Sequence, residues 1–518
     1  MMPAAGDSSP PVADLLQAAA SRRPDAPALV VSADRVPITY GELVRLVDDL
    51  ARQLAAAGLQ PGDRAALRAH SNAEFVIGLL ASSRAGLVVV PVDPALPVVD
   101  QGIRIAAAGV KVALIDGTGP GVTTEPTFPS WPISVTCSRN DGVRIEVDAT
   151  AAPSSATATP DGLRPDDAMI MFTGGTTGSP KMVPWTHDNI ARSVRGVIAT
   201  YGLGPDDATV AVMPLFHGHG LIATLLSTLA SCGTVLLPAR GRFSAHTFWD
   251  DVGAVRATWF TAVPTIHRIL LERSTIDKPA REGATLRFIR SCSAPLSAET
   301  AQALRTEFAA SVFSAYGMTE ATHQVTSTTE NQDVPISGLV GRSSGAQIRI
   351  VGDDGRPGPP DAVGEVQLRG HTVVRGYLGD RSATTRSFTD GWLHTGDLGS
   401  LSAAGDLTLR GRIKELINRG GEKISPERVE NALACHPKVL EAAVFGVPHP
   451  LYGETVAAVV VPGPSDPPSP GELVEFCRER LAAFEVPADI QVTSELPHTA
   501  KGSVDRRAVA VRFGPSRP

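Results

Sequence analysis

The stretch that most narrows the fold is a short apolar strand, Ala168-Met-Ile-Met-Phe172, running directly into Thr173-Gly-Gly-Thr-Thr-Gly-Ser-Pro-Lys181. Three glycines, four hydroxyl side chains and a lysine fall within these nine residues. Polyphosphate calls for this mixture: glycine lets backbone N–H groups approach the oxygens, hydroxyls donate hydrogen bonds, and lysine supplies countercharge. The spacing does not match the Walker A pattern, and Pro180 and Pro184 prevent a helix from starting where a Walker loop needs one. The expectation is a strand followed by a flap over phosphates. Taken alone, the segment reads better as a flexible surface turn.

The segments around it set the fold class. Thr39-Tyr-Gly-Glu42 has capping-box spacing and precedes Leu43, Leu46, Val47, Leu50 and Leu54 at helical intervals. A strand at Arg64–Arg68, a helix around Phe75 to Ala85 and a strand at Gly86–Pro91 follow, and such alternation implies a mainly parallel sheet, hence an α/β fold. With 518 residues, more than one core is expected. The pattern changes near Leu409 to Lys414, and the remainder has compact signals of its own at Pro426–Leu433 and Val456–Val461, which sets domains of 1–411 and 412–518. Ala149 to Pro165 reads as an exposed loop.

Other classes are disfavoured. Forty-seven basic against fifty-four acidic residues, with no long blocks of one sign, give no electrostatic footprint for nucleic acid or a membrane surface. The most apolar later stretch, Leu221 to Leu237, holds Thr, Ser, Cys and Gly and reads as a buried helix and strand. Cys137, Cys232, Cys292, Cys435 and Cys477 form no Cys-x-x-Cys pair, and the amino terminus has no secretory pattern, so a cytoplasmic protein is expected.

Phe172 to Lys181 resembles the signature loop of the adenylate-forming superfamily of acyl-CoA synthetases, nonribosomal-peptide adenylation domains and luciferases. Ala315-Tyr-Gly-Met-Thr-Glu320, Gly391-Trp-Leu-His-Thr-Gly-Asp397, Gly411-Arg-Ile-Lys-Glu-Leu-Ile417 and Gly420-Gly-Glu-Lys-Ile424 agree in the same order. The resemblance implies a large multi-sheet amino-terminal domain with a small mobile α+β lid, and the use of ATP, Mg2+ and coenzyme A on a small-molecule carboxylic acid. Residue by residue, it implies nucleotide contacts from Thr173, Gly175, Thr176, Thr177, Gly178, Lys181, Ser293, Ala294, Pro295, Tyr316, Gly317, Thr319, Asp397 and Arg412. Tyr316 would stack on adenine and Asp397 would accept from both ribose hydroxyls. Glu320 would ligate the metal, a hard oxygen donor for a hard cation. The hinge would lie at Lys414, and Gly420, Gly421 and Glu422 would line the pantetheine path. His217 would sit beside the acyl group as an aromatic gate. His219 reads as a packed helix-start residue, since the His-x-His pair lacks a third ligand nearby.

Two features set this chain apart. The superfamily's carboxyl-terminal pattern Pro-x-Thr-x-x-Gly-Lys-x-x-Arg appears as Pro497-His-Thr-Ala-Lys-Gly-Ser-Val-Asp-Arg506, with serine at the position of the catalytic lysine. Lys501, two residues earlier, either takes that role or is a solvated charge. Gly174 and Met182 also stand where serine and glycine are usual. Further, Arg242-Phe-Ser-Ala, Thr258 to His267, Arg287 to Ala294 and Met318 to His323 resemble the oxalyl-CoA synthetase branch. A small dicarboxylate needs donors for its second end; Ser291, Ser293 and His323 are suitable types, with His323 donating two hydrogen bonds when protonated. A fatty acid is the competing substrate, and an adenylate-binding protein without turnover the competing class.

Overall fold

The computed structural model describes residues 11–31, 33–117, 128–138, 142–155, 158–173, 180–330, 336–463, 466–498 and 504–514. The helix after the capping box runs Tyr40–Ala56, with Thr39 and Glu42 closing the box reciprocally. Its Leu43, Leu46, Val47, Leu50 and Leu54 are buried, as their spacing requires. Burial of each such side chain contributes about 1.5–3 kcal/mol.

Three sheets organise the chain. A seven-stranded sheet has the parallel strands Arg64–Arg68, Val88–Pro91, Val112–Asp116 and Asp167–Thr173 near its centre, and the last of these pairs antiparallel with Lys181–Thr186. A second, larger sheet places Thr234–Leu236, Ala208–Val210, Trp259–Ala262, Phe288–Ser291 and Ser311–Met318 parallel and adjacent. It continues antiparallel through His323–Ser327 and Leu339–Ser343 to Leu407–Arg412 and Trp392–Leu401.

Between these sheets lies the main core, where helices Tyr40–Ala56, Ala73–Arg84 and His187–Tyr201 pack Leu50, Phe75 and Val194 against Leu67, Val89, Val235 and Trp259. The opposite face of the larger sheet is covered by helices Phe248–Val255, Pro264–Glu272 and Ala298–Phe308, which enclose Phe260, Ile289 and Val312. The stretch Leu221–Leu237 is a buried π-helix, His219–Leu226, then a short helix and the strand Thr234–Leu236. A π-helix is uncommon and recurs at functional sites.

The third sheet is separate. It joins Ile417–Arg419, Glu422–Ile424, Val439–His449, Gly453–Pro462 and Asp489–Val492, with Pro426–Ala434, Pro470–Arg478 and Arg506–Phe513 as helices. Arg506 ties the last helix down through Glu430 at 2.6 and 2.7 Å and through Glu415. Leu407–Arg412 belongs to the larger sheet, so the two bodies are joined by the single-turn 3-10 helix Ile413–Glu415, which carries Lys414. The expected boundary between 411 and 412 falls one residue before the end of that strand. No helix among the described residues is long and apolar enough to cross a membrane.

Candidate active site

The glycine-threonine stretch joins two strands, with Thr173 opposite Lys181 in an antiparallel ladder. The expected helix-free geometry follows from Pro184, which lies within the second strand opposite Ile170. Gly175, Thr176, Thr177 and Gly178, with Gly174, lie outside the described residues. At the base of the ladder, the Lys181 ammonium lies 4.3 Å from the centre of the Tyr377 ring. The Tyr377 hydroxyl donates to Glu320 Oε1 at 2.9 Å, and burial beside that carboxylate pushes the phenol up, so it keeps its proton. Glu320 is buried in the single turn Thr319–Ala321, and the fully buried Trp185 holds Thr319 by donating to its carbonyl at 2.8 Å. Thr319, Glu320 and Lys181 are thus brought together around Tyr377 and Trp185, two residues the sequence reading missed. A carboxylate with one oxygen pinned and a lysine nearby form a donor set that fits a Mg2+-polyphosphate group.

A second group surrounds Asp397. Far from being a turn residue, Asp397 is buried in Trp392–Leu401, opposite Arg412 in the adjacent strand. Arg412 Nε lies 3.2 Å from Asp397 Oδ1, and the Tyr316 hydroxyl donates to Oδ2. Burial pushes the Asp397 carboxyl up, while the Arg412 guanidinium and the Tyr316 hydroxyl pull it back. Burial and Asp397 hold Tyr316 well above the ordinary tyrosine value, fixing it as the donor. Gly317 allows no side chain, since a Cβ there would stand 1.6 Å from the His323 carbonyl oxygen.

Ser293, Ala294 and Pro295 follow the strand Phe288–Ser291, with Ser293 exposed and at φ +73°. Gly420, Gly421 and Glu422 form an exposed β-turn whose Gly420 N–H donates to the Tyr452 carbonyl. Among the described residues, no recorded contact joins this turn to Thr319, Glu320 or Lys181. Lys501 and Ser503 lie outside the described residues, though His498 and Val504 on either side pair across an antiparallel bridge.

The residues expected at the acid differ most from expectation in their placement. Strand alternation puts Phe288 and Arg290 on the main-core face and Ile289 and Ser291 on the face covered by Pro264–Glu272. Ser291 therefore points away from His323, and its buried hydroxyl has no hydrogen-bond partner among the described residues. Arg290 takes the place expected of Ser291. Its side chain is fully buried, and its nitrogens reach His219 Nε2 at 3.1 Å, His323 Nε2 at 3.1 Å, Thr261 Oγ1 at 2.9 Å, the Tyr201 hydroxyl at 2.9 Å and Gln324 Oε1 at 2.9 Å. The rings of His219 and His323 stack at 5.3 Å, and His219 Nδ1 is 3.1 Å from Ser293 Oγ. His217 stands edge-on to Phe216 just before the π-helix. At Gly218 a Cβ would meet Trp185 at 3.1 Å and His323 at 3.3 Å, so the acid end abuts the Thr319 end.

Burial and Arg290 hold both His219 and His323 well below the ordinary histidine pKa. The double donation expected of a protonated His323 is therefore replaced by a neutral ring that accepts at Nε2. His219, read as a packed helix-start residue, is buried at the first position of the π-helix His219–Leu226, and its Nε2 also joins the polar layer around Arg290. No signal in the sequence distinguishes Arg290 from an exposed arginine except its place inside a strand of otherwise buried types.

These depressed values predict a pH dependence of stability. Below about 6.5 the unfolded chain binds protons that native His219 and His323 refuse, so stability falls as pH drops through that value. His267, pushed down to about 4 by burial, adds to the fall. Thermal melting from pH 7.5 to 5.5 should show a declining midpoint, and a shallower decline in His219→Gln. Equal slopes in the two proteins would contradict this.

Comparison with known proteins gives the family. The family model described as AMP-binding enzyme matches residues 16–378, and that described as AMP-binding enzyme C-terminal domain matches 428–503. The chain is 41% identical over 506 residues to an oxalate–CoA ligase from Arabidopsis thaliana, covering 96% of this chain and 98% of that one. It is 34% identical over 500 residues to a sulfoacetate–CoA ligase from Cupriavidus necator, covering 96% of each. The ATP-bound crystal structure of MatB from Rhodopseudomonas palustris superposes with a TM-score of 0.83 at 29% identity, covering 97% of this chain and 99% of that one. The chain belongs to the AMP-binding enzyme family and is an acid–CoA ligase of the adenylate-forming superfamily that its motifs resemble.

Proposed function

We propose that this enzyme activates a short carboxylic acid bearing a second anionic group, with oxalate the best candidate, as its acyl-adenylate and passes the acyl group to coenzyme A. The observation that carries the reading is the adjacency of three groups: Tyr316–Asp397–Arg412, Lys181–Tyr377–Glu320, and a buried polar layer of His219, His323 and Arg290. In this reading adenine stacks on Tyr316, and the ribose hydroxyls donate to Asp397, whose negative charge Arg412 stabilises. The flap, Thr319 and Lys181 hold phosphate oxygens, and Glu320 ligates Mg2+, which supplies positive charge to the leaving pyrophosphate. The acid carboxylate, placed beside His217, attacks the α-phosphorus and pyrophosphate leaves.

Turning of the small body about Lys414 then exchanges the Lys501 segment for the Gly420–Glu422 turn, which lines the thiol's approach. Ser293, Ala294 and Pro295 flank the nucleotide from the end of their strand. The relatives named for oxalate and sulfoacetate both point to acids with two anionic ends. A fatty-acid tail, by contrast, would have to displace the charged guanidinium and two imidazoles. Five free cysteines support a reducing, cytoplasmic setting.

CoA-dependent AMP formation with oxalate, sulfoacetate, acetate and a long-chain acid tests the proposal. Turnover should be at least about tenfold faster with the two dianions, the discrimination one charged contact gives. Turnover confined to long chains, or a tight ATP complex with no product, would overturn it.

A further inference from the structure

Arg290 is an arginine at the centre of the protein for which, among the described residues, no carboxylate acts as partner. It is fully buried, and the Tyr201 hydroxyl beside it keeps its proton, because burial holds that phenol above the ordinary tyrosine value. A buried cation ordinarily sits beside a carboxylate, because its desolvation is otherwise uncompensated. Here its N–H groups are satisfied by neutral acceptors instead: the Tyr201 hydroxyl, Gln324 Oε1, Thr261 Oγ1 and the Nε2 atoms of two histidines.

That arrangement has a direction. Guanidinium only donates, so a ring nitrogen facing it must accept; the Thr261 hydroxyl, 2.6 Å from His219 Nε2, then donates to that same nitrogen, and a neutral imidazole accepting at Nε2 carries its proton on Nδ1. His219 Nδ1–H then donates to Ser293 Oγ at 3.1 Å, leaving the exposed Ser293 hydroxyl hydrogen to point onward. His323 Nδ1–H is likewise a donor, with no recorded partner among the described residues. Both relays start at Arg290 and end in donors.

The backbone at the far ends of the relays is strained in the same place. Ser293 (φ +73°), Thr322 (φ +50°) and His323 (φ +82°) are all non-glycine residues in the left-handed region. Thr322 is held there from both sides, its hydroxyl donating to the Thr372 carbonyl at 2.7 Å and its carbonyl accepting from Ser193 Oγ at 2.5 Å. Such strain persists where surrounding contacts over-determine it, and it clusters at ligand sites.

We infer that Arg290 is the positioning residue that makes this enzyme select a second anionic group on its acid: through His219 and His323 it presents Ser293 Oγ–H and His323 Nδ1–H as donors backed by an uncompensated positive charge. A carboxylate or sulfonate offers only acceptors and carries the missing countercharge, whereas a hydroxyl or methyl group meets neither demand. The assignment deepens the proposed function and rests on it, and it concerns discrimination, not the chemical step. Ser293 becomes an acid contact in addition to its place beside the nucleotide.

The test uses the full-length enzyme and its R290Q and R290K variants in acid-dependent ATP–pyrophosphate exchange with oxalate and acetate. R290Q should raise the KM for oxalate about 10- to 100-fold, the loss expected for one charge-assisted contact, with the KM for ATP changed less than about twofold. R290K keeps the charge but not the fork that serves two imidazoles, so it should recover part of the oxalate affinity. The loss with acetate should be at least about tenfold smaller than the loss with oxalate. An unchanged KM for oxalate in R290Q, or equal losses toward both acids, would overturn the assignment. Wild-type turnover confined to long-chain acids would overturn the proposed substrate and this assignment with it. Should R290Q fail to fold, 15N NMR of histidine-labelled wild type decides: His219 and His323, assigned by His219→Gln and His323→Gln, should both show bare Nε2 and protonated Nδ1. Protonated Nε2 on either ring would break the relay.

Discussion

Lys501→Ala is expected to lower oxalate-dependent ATP–pyrophosphate exchange about 100- to 1000-fold, the range for removing one preorganised charge from a transition state. The attack joins an anionic carboxylate to an anionic phosphate, and Ser503 stands where the superfamily's bridging lysine belongs. Residues two apart in an extended segment point to the same side about 7 Å apart, a distance that a flexible lysine beside Gly502 spans in part. Thioester formation from added acyl-adenylate should survive in the same variant, because the proposed second half-reaction draws on the Gly420–Glu422 turn instead. Exchange at the wild-type rate in Lys501→Ala would return that residue to a solvated charge. Restoring the usual pattern in the double variant Lys501→Ala, Ser503→Lys should then bring exchange back.

Glu320→Gln should have a comparable effect through the metal. The amide keeps the oxygen that accepts from Tyr377, so the local fold survives while the anionic charge is lost. Exchange at fixed Mg2+ should fall about 100- to 1000-fold, with the Mg2+ requirement moving to higher concentration. A Mg2+ titration identical to wild type would remove Glu320 from the metal site. Melting temperature within a few degrees of wild type would show that the loss is chemical.

Local sequence rules reached far into this fold. The capping box at Thr39 and the apolar strand before Thr173 act through nearest neighbours and appear in the structure where the residues placed them, and no helix starts at Pro180 or Pro184, although the strand Lys181–Thr186 was not foreseen. The residues expected at the nucleotide are grouped in space as their motifs suggest: Thr319 and Glu320 share one turn, and Asp397 and Arg412 lie opposite each other in adjacent strands.

The acid layer was not legible, because it is assembled from five separate elements. Arg290, His219, Thr261, Tyr201 and His323 come from different strands and helices, and only the parallel register of Trp259–Ala262 with Phe288–Ser291 sets Thr261 beside Arg290. The choice of Ser291 failed for a related reason. A strand shows neighbouring residues to opposite faces, and which face holds the acid is settled by the helices packed on the sheet. Tyr377 and Trp185 escaped notice likewise, since each works through a contact more than fifty residues away in sequence.

The central claim is that nucleotide lies between the Tyr316–Asp397–Arg412 group and the Glu320–Lys181 group. A crystal structure of the protein grown with ATP and Mg2+ tests it directly. The account predicts adenine on Tyr316, ribose oxygens within hydrogen-bond distance of Asp397, and the polyphosphate beside Thr319, Glu320 and Lys181. Adenine lodged elsewhere, with Asp397 still sealed by Tyr316 and Arg412 and no nucleotide contact, would contradict it.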